Sequence, residues 1–157
     1  MLRVEFQMVN ADLRRVAILL EALTVLDLVW LRDHPLTPHP YRAGIRYIPE
    51  DGSEEWPEIP FVIARGGGDC EDLAAWLAAY YRANGWPHAV AFPIRSDRNP
   101  RLYHCLVSRD GTTRTVEDPS AELGAPRVPP DDLARALDTA RSWLARSCAA
   151  WNLPRAL

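Results

Sequence analysis

The stretch Gly66-Gly67-Gly68-Asp69-Cys70-Glu71-Asp72-Leu73 constrains this chain more than any other. Three glycines in a row disfavour a regular helix, yet the residues after them read as one. Leu73, Trp76, Leu77, Tyr80 and Tyr81 recur at i, i+3, i+4, i+7 and i+8, which is the apolar face of a helix. Asp69 is the natural N-cap and Gly85 the stop after Asn84. The spacing therefore predicts a helix from Cys70 or Glu71 to Asn84 with a cysteine in its first turn. Unpaired N–H groups and the positive end of the helix dipole favour a thiolate there, so a lowered thiol pKa is expected. The glycines let backbone approach a ligand without side chains in the way. Cys70 stands where a nucleophile would, and a small buried hydrophobe beside a tight loop is the plain alternative.

Two further helices are predicted. Leu13, Val16, Ala17, Leu20 and Leu23 share a face between Asp12 and Leu31, and Pro35, Pro38 and Pro40 end that run. From Pro35 to Gly68, Pro35 included, the chain carries six prolines and the polar run Glu50–Glu55, so extended segments and loops are expected there and no regular helix. After Gly85 come three extended runs, Ala89–Arg95, Leu102–Arg109 and Thr112–Asp118, the last two joined as an antiparallel hairpin at Asp110-Gly111. Pro129-Pro130-Asp131-Asp132 opens a final helix to Cys148, with Leu133, Leu137, Ala140 and Leu144 inward. Helices and strands segregate along the chain, which argues for an α+β fold. At 157 residues a single domain is expected over 1–157, its core about 41–123 and its flanking helices about 12–31 and 131–148.

A thiolate nucleophile needs a base. Alternation along the second strand puts Leu102, His104 and Leu106 on one face and Tyr103, Cys105 and Val107 on the other. His104 is expected to face the cysteine helix, with Cys105 turned away as packing. On the partner strand Glu117 and Asp118 point oppositely, so only one can join the histidine. Asp118 is favoured because Asp118-Pro119 closes the strand at a turn that can hold a short side chain. Nucleophile, base and orienting acid then follow in the order Cys70, His104, Asp118.

Gly68-Asp69-Cys70-Glu71-Asp72-Leu73-Ala74, Tyr103-His104, Asp110-Gly111 and Glu117-Asp118-Pro119-Ser120 resemble the Cys, His and Asp segments of bacterial transglutaminase-like cysteine proteins. The resemblance covers about Tyr41 to Leu123. It implies a papain-like α+β fold, with the cysteine helix packed on a small antiparallel sheet that carries the histidine and aspartate. It also implies acyl transfer from an amide through a thioester, with Cys70 as nucleophile, His104 as base and acid, and Asp118 as orienter. The oxyanion hole would use the Cys70 N–H plus a side-chain donor, for which the upstream indole of Trp56 is the candidate. Animal cross-linking members carry an aromatic residue directly after the cysteine and extra calcium-binding domains. Here Glu71 follows and one small domain is expected, which argues against calcium-dependent cross-linking, and hydrolysis is expected because nothing in the sequence marks a dedicated amine-acceptor site. Glu71 and Asp72 are expected to point away from the thiol, because a carboxylate against it would raise its pKa.

Composition narrows the function classes. The net charge is −3 with no polybasic run, so neither nucleic acid nor a membrane surface is an expected partner. All 18 basic side chains are arginine, which leaves no lysine for a Schiff base or a P-loop. Three widely spaced cysteines form neither a disulfide framework nor a CxxC pair, so a reducing, cytoplasmic location is expected. Val16–Leu31 is too short for a membrane span and is interrupted by Glu21 and Asp27. His34 and His39 sit in a proline-rich turn without acids at ligand spacing, and Asp69, Glu71 and Asp72 suit a helix start, so no metal and no cofactor is expected. The expected activity is a cysteine hydrolase or acyltransferase on peptide or glutamine side-chain amides. The rivals are an interaction or assembly module, such as a phage-like particle component, and a protein cross-linker. A protein or peptide substrate is the expected partner, with an assembly partner in the rival case.

Overall fold

The computed structural model describes residues 12–49, 55–95 and 103–150, with the side chains of 142, 143 and 145–150 left out of the description. Leu102 and the Cys148 side chain thus lie outside it. In chain order the elements are α1 (Leu13–Asp33), a 3-10 turn (Pro40–Arg42), β1 (Arg46–Tyr47), α2 (Ile59–Arg65), β2 (Gly67–Gly68), α3 (Cys70–Ala83), β3 (Val90–Arg95), β4 (Tyr103–Ser108), β5 (Val116–Glu117), α4 (Pro119–Glu122) and α5 (Pro130–Ala150). The architecture is α+β. Among the described residues no helix is long and apolar enough to cross a membrane.

Helix α3 is the axis of the molecule. Every residue from Cys70 to Ala79 is buried, so the helix is enclosed on all sides rather than on the single expected stripe. Ala74, Ala75, Ala78 and Ala79 make this possible by letting neighbours approach closely. Leu77 and Ala78 pack with Leu20 and Leu23 of α1 and with Ala91, Cys105 and Val107 of the sheet. Leu73, Trp76 and Ala79 pack with Leu31 of α1 and with Ile59 and Val62 of α2.

The two acids that interrupt the apolar run of α1 each have a partner. Glu21 receives both terminal guanidinium nitrogens of Arg82, at 2.6 and 2.8 Å, pinning α1 to the end of α3. Asp27 accepts the Ile59 N–H at 3.0 Å and so caps α2 from outside, where Glu58 makes no capping bond of its own. Burial pushes the Asp27 carboxyl well above its ordinary value of 3.8, against the pull of that N–H. A carboxyl raised in the folded state contributes most below its unfolded value and loses that contribution as pH climbs through the raised one. Asp27→Asn keeps the acceptor and cannot ionise. Its melting midpoint should therefore gain on the native one as pH rises from about 4, each 1 kcal/mol moving it by roughly 2–4 °C. A difference between the two midpoints that is constant from pH 4 to pH 8 would contradict this account.

The sheet runs β3-β4-β5, all antiparallel, with Ile94 opposite His104, Phe92 opposite Leu106 and Val107 opposite Glu117. Three expectations are corrected. The third strand shrinks from Thr112–Asp118 to Val116–Glu117, because Asp110 Oδ1 gathers the Thr112 N–H, the Thr112 hydroxyl and the Thr115 hydroxyl into a longer loop. A regular helix, α2, forms in the proline-rich stretch. Pro60 sits in its first turn, where no N–H is missed, and Gly66 closes it in the left-handed region at φ 79°. The sheet also has two covered faces. Cys105 and Val107 meet α1 and α3, whereas Phe92, Ile94 and Leu106 meet Ala140 and Leu144 of α5. His104 belongs by parity to the α5 face, not to the α3 face expected for it.

Candidate active site

Cys70 opens α3 directly after β2, whose two glycines pair in parallel with Arg46 and Tyr47 of β1. Asp72 turns back to accept the Asp69 N–H at 3.3 Å, the return half of a capping box, so it serves the helix start as expected. Glu71 does not point away. The Cys70 thiol donates to Glu71 Oε2 at 3.0 Å, and the Tyr103 hydroxyl donates to Glu71 Oε1 at 3.1 Å. Glu71 is a long side chain in a first turn, and Tyr103 of β4 holds it folded over the thiol.

The structure brings Cys70, His104 and Asp118 together. His104 sits near the start of β4, beyond the two residue pairs that β5 makes with it, so its ring reaches past the sheet edge to Cys70 despite its parity. Cys70 and His104 lie within hydrogen-bonding and Coulombic reach. Asp118 Oδ2 lies 3.0 Å from His104 Nε2, an oblique ion-pair contact off the ring N–H direction. Its other oxygen accepts the Ala121 N–H at 3.1 Å and caps α4. Nδ1 is thereby the ring nitrogen left to face the sulfur.

Burial would lower the affinity of His104 for a proton, but Asp118 and Cys70 more than offset it and push the ring up to about 10. The Cys70 thiol moves against expectation. The adjacent Cys105 thiol and then burial push it well above its ordinary value, with His104 pulling it down. Cys105, expected as packing alone, is fully buried beside Cys70 and opposes the pull of the helix terminus on its thiol. Preferential alkylation of Cys70, expected for a lowered pKa, does not follow for a thiol that is 8% exposed and raised.

Tyrosines surround this centre. Tyr47 is pushed up to about 12, by burial first and then by Cys70, Asp69, Glu71 and Asp118 around it. Tyr81 donates to Glu117 at 2.7 Å, which places Glu117 on the α3 face as alternation requires. Trp56 packs against the apolar cluster that contains Cys70. His39 stacks edge-on among Tyr41, Tyr80 and Tyr81, and His34 stacks on Trp30, so neither imidazole joins the centre. Of the residues that sequence reasoning missed, Tyr103 and Cys105 carried a signal: they alternate onto the same face as Val107. No protein-family model, curated protein or solved structure matches the chain.

Proposed function

We propose that this protein is a transglutaminase-like cysteine hydrolase or acyltransferase that acts on peptide or glutamine side-chain amides. The observation that carries this reading is the series Cys70, His104, Asp118, in which a thiol meets an imidazole whose far nitrogen meets a carboxylate. An ordinary imidazole is a poor acceptor for a thiol proton. Asp118 raises the ring's hold on a proton toward that of the thiol, so once the thiol–imidazolium pair has lost one proton to solvent the remaining one passes from sulfur to Nδ1 as sulfur attacks the amide carbon. The C–S bond forms and the carbonyl oxygen gains charge, which the Cys70 N–H and the Trp56 indole N–H are assigned to hold. Collapse breaks the C–N bond, and imidazolium gives its proton to the departing ammonia or amine. Water, activated by His104, then cleaves the thioester to a carboxylic acid and restores the thiol. An amine in place of water would give a new amide, the cross-linking variant of the same chemistry.

The 8% exposure of Cys70 favours a second reading, an interaction or assembly module that keeps the triad covered and unused. Acid-quenched mass spectrometry during turnover of glutamine peptides and simple peptide amides separates the two. An acyl adduct on the Cys70 peptide, matched by ammonia or amine release and absent in Cys70→Ala, is the expected result. No adduct on any amide, with tight binding of a protein partner, would replace the hydrolase reading with the assembly one.

A further inference from the structure

Cys70 Sγ, Cys105 Sγ and a Glu71 carboxylate oxygen lie within 4.8 Å of one another, and all three residues are buried. Two sulfurs and a carboxylate from two different elements are more than one nucleophile needs. We propose that Cys70, Glu71 and Cys105 form a three-ligand zinc site, and that zinc bound there silences the thiol. The binding stands on this geometry alone; the silencing rests on the hydrolase reading.

Zinc–sulfur bonds near 2.3 Å and zinc–oxygen bonds near 2.0–2.2 Å put tetrahedral ligand atoms roughly 3.5–3.8 Å apart. The Cys70–Glu71 contact at 3.0 Å and the 4.8 Å limit on the cluster bracket that spacing, so small side-chain rotations suffice. A neighbour already orients the carboxylate as a metal site requires. Tyr103 occupies Glu71 Oε1 and leaves Oε2 turned to the sulfur. Two thiolates suit zinc and disfavour calcium or magnesium, which take oxygen. Zn²⁺ displaces the protons of both thiols, forming two Zn–S bonds and releasing two protons to solvent. The sulfur lone pair needed for attack on an amide is then committed to the metal.

The test uses the reduced, metal-free full chain. Titration with Co²⁺ should produce thiolate-to-cobalt charge-transfer absorption that saturates at one ion per chain, and one equivalent of Zn²⁺ should abolish it. Zinc affinity, read by competition with a chromogenic chelator, should fall at least 100-fold in Cys105→Ala. It should fall roughly 10–100-fold in Tyr103→Phe, which removes an orienting hydroxyl and no ligand. Cobalt binding without charge-transfer bands, or native affinity in Cys105→Ala, overturns the site. Should Cys105→Ala fail to fold, native affinity in folded Tyr103→Phe overturns it. Adduct formation on metal-free protein is scored separately. An adduct without zinc binding refutes this inference alone, and zinc binding without an adduct refutes the hydrolase reading and the silencing with it.

Discussion

Asp118→Asn should leave the fold standing and cut turnover about 10⁴-fold, as tautomer errors do in comparable triads. The two carboxylate oxygens have separate tasks: Oδ1 caps α4 through Ala121, and Oδ2 meets His104 Nε2. Asparagine is as good an N-cap as aspartate, so the melting midpoint should hardly move. The amide can instead present N–H to Nε2, which forces the ring proton onto Nδ1. Nδ1 then cannot take the proton from Cys70. Loss of the negative charge also removes one of the two groups, Asp118 and Cys70, that lift the ring above its ordinary range. The loss should appear in kcat and kcat/KM together, because the missing interaction is made in the transition state. Glu117→Gln is the matched control. Glu117 accepts from Tyr81 on the other face of the sheet, and glutamine keeps that acceptor, so turnover should stay within a few-fold of native. Equal losses in the two variants would mean that Asp118 does not orient the base.

The triad was legible because each member sits at a point where local rules are strong. Cys70 follows an N-cap that only a helix start explains, and Asp118 precedes a proline that ends the strand. The facing of His104 was not legible. Alternation identifies an inner face only when the other face is solvated, and here α3 and α5 cover both. The placement near Cys70 survived that error because β5 is short and leaves the edge at His104 open. Helix α2 was overlooked although its signals were present, a proline in the first turn and a glycine just past the end. Proline density argued for loops, and the two prolines at Pro57 and Pro60 permit a helix start as readily as they prevent a helix interior.

The chemical state of the thiol was less legible than its position. Helix polarity is a local property and was read from the sequence, but Cys105, a tertiary neighbour, and burial act in the opposite sense. Tyr103 decides the rotamer of Glu71, and nothing in the spacing of positions 71 and 103 announces that bond. At a position that helix polarity suits to a thiolate, Cys105 and burial thus push the Cys70 thiol up while His104 pulls it down.

The three glycines before the site are not equivalent, and Gly67→Ala should be the most damaging substitution among them. Gly66 takes φ 79° to close α2, with open space where a Cβ would stand, so alanine there costs only the left-handed strain, about 1–2 kcal/mol. At Gly68 a Cβ would come 2.7 Å from Asp72 Oδ2, which can swing aside at the expense of its bond to the Asp69 N–H, and 2.8 Å from the Asp72 Cβ, which yields only if the first turn of α3 shifts. At Gly67 the Cβ would stand 2.0 Å from the Arg46 carbonyl oxygen and 2.9 Å from the Ile48 side chain, and backbone cannot swing. Strand β1 would have to leave β2, breaking the bond from Ile48 N–H to the Gly68 carbonyl at 2.9 Å. That displacement carries Tyr47 away from the thiol and loosens the entry to α3, so both stability and turnover should suffer. The expected loss is roughly 3 kcal/mol or more, at the upper end for overpacking, read as a lowered urea midpoint. Turnover by whatever protein remains folded should drop further than Gly66→Ala drops it. If Gly66→Ala proves the most damaging of the three, the glycines serve the turn that ends α2, and the close approach of β1 to β2 is not what positions Cys70.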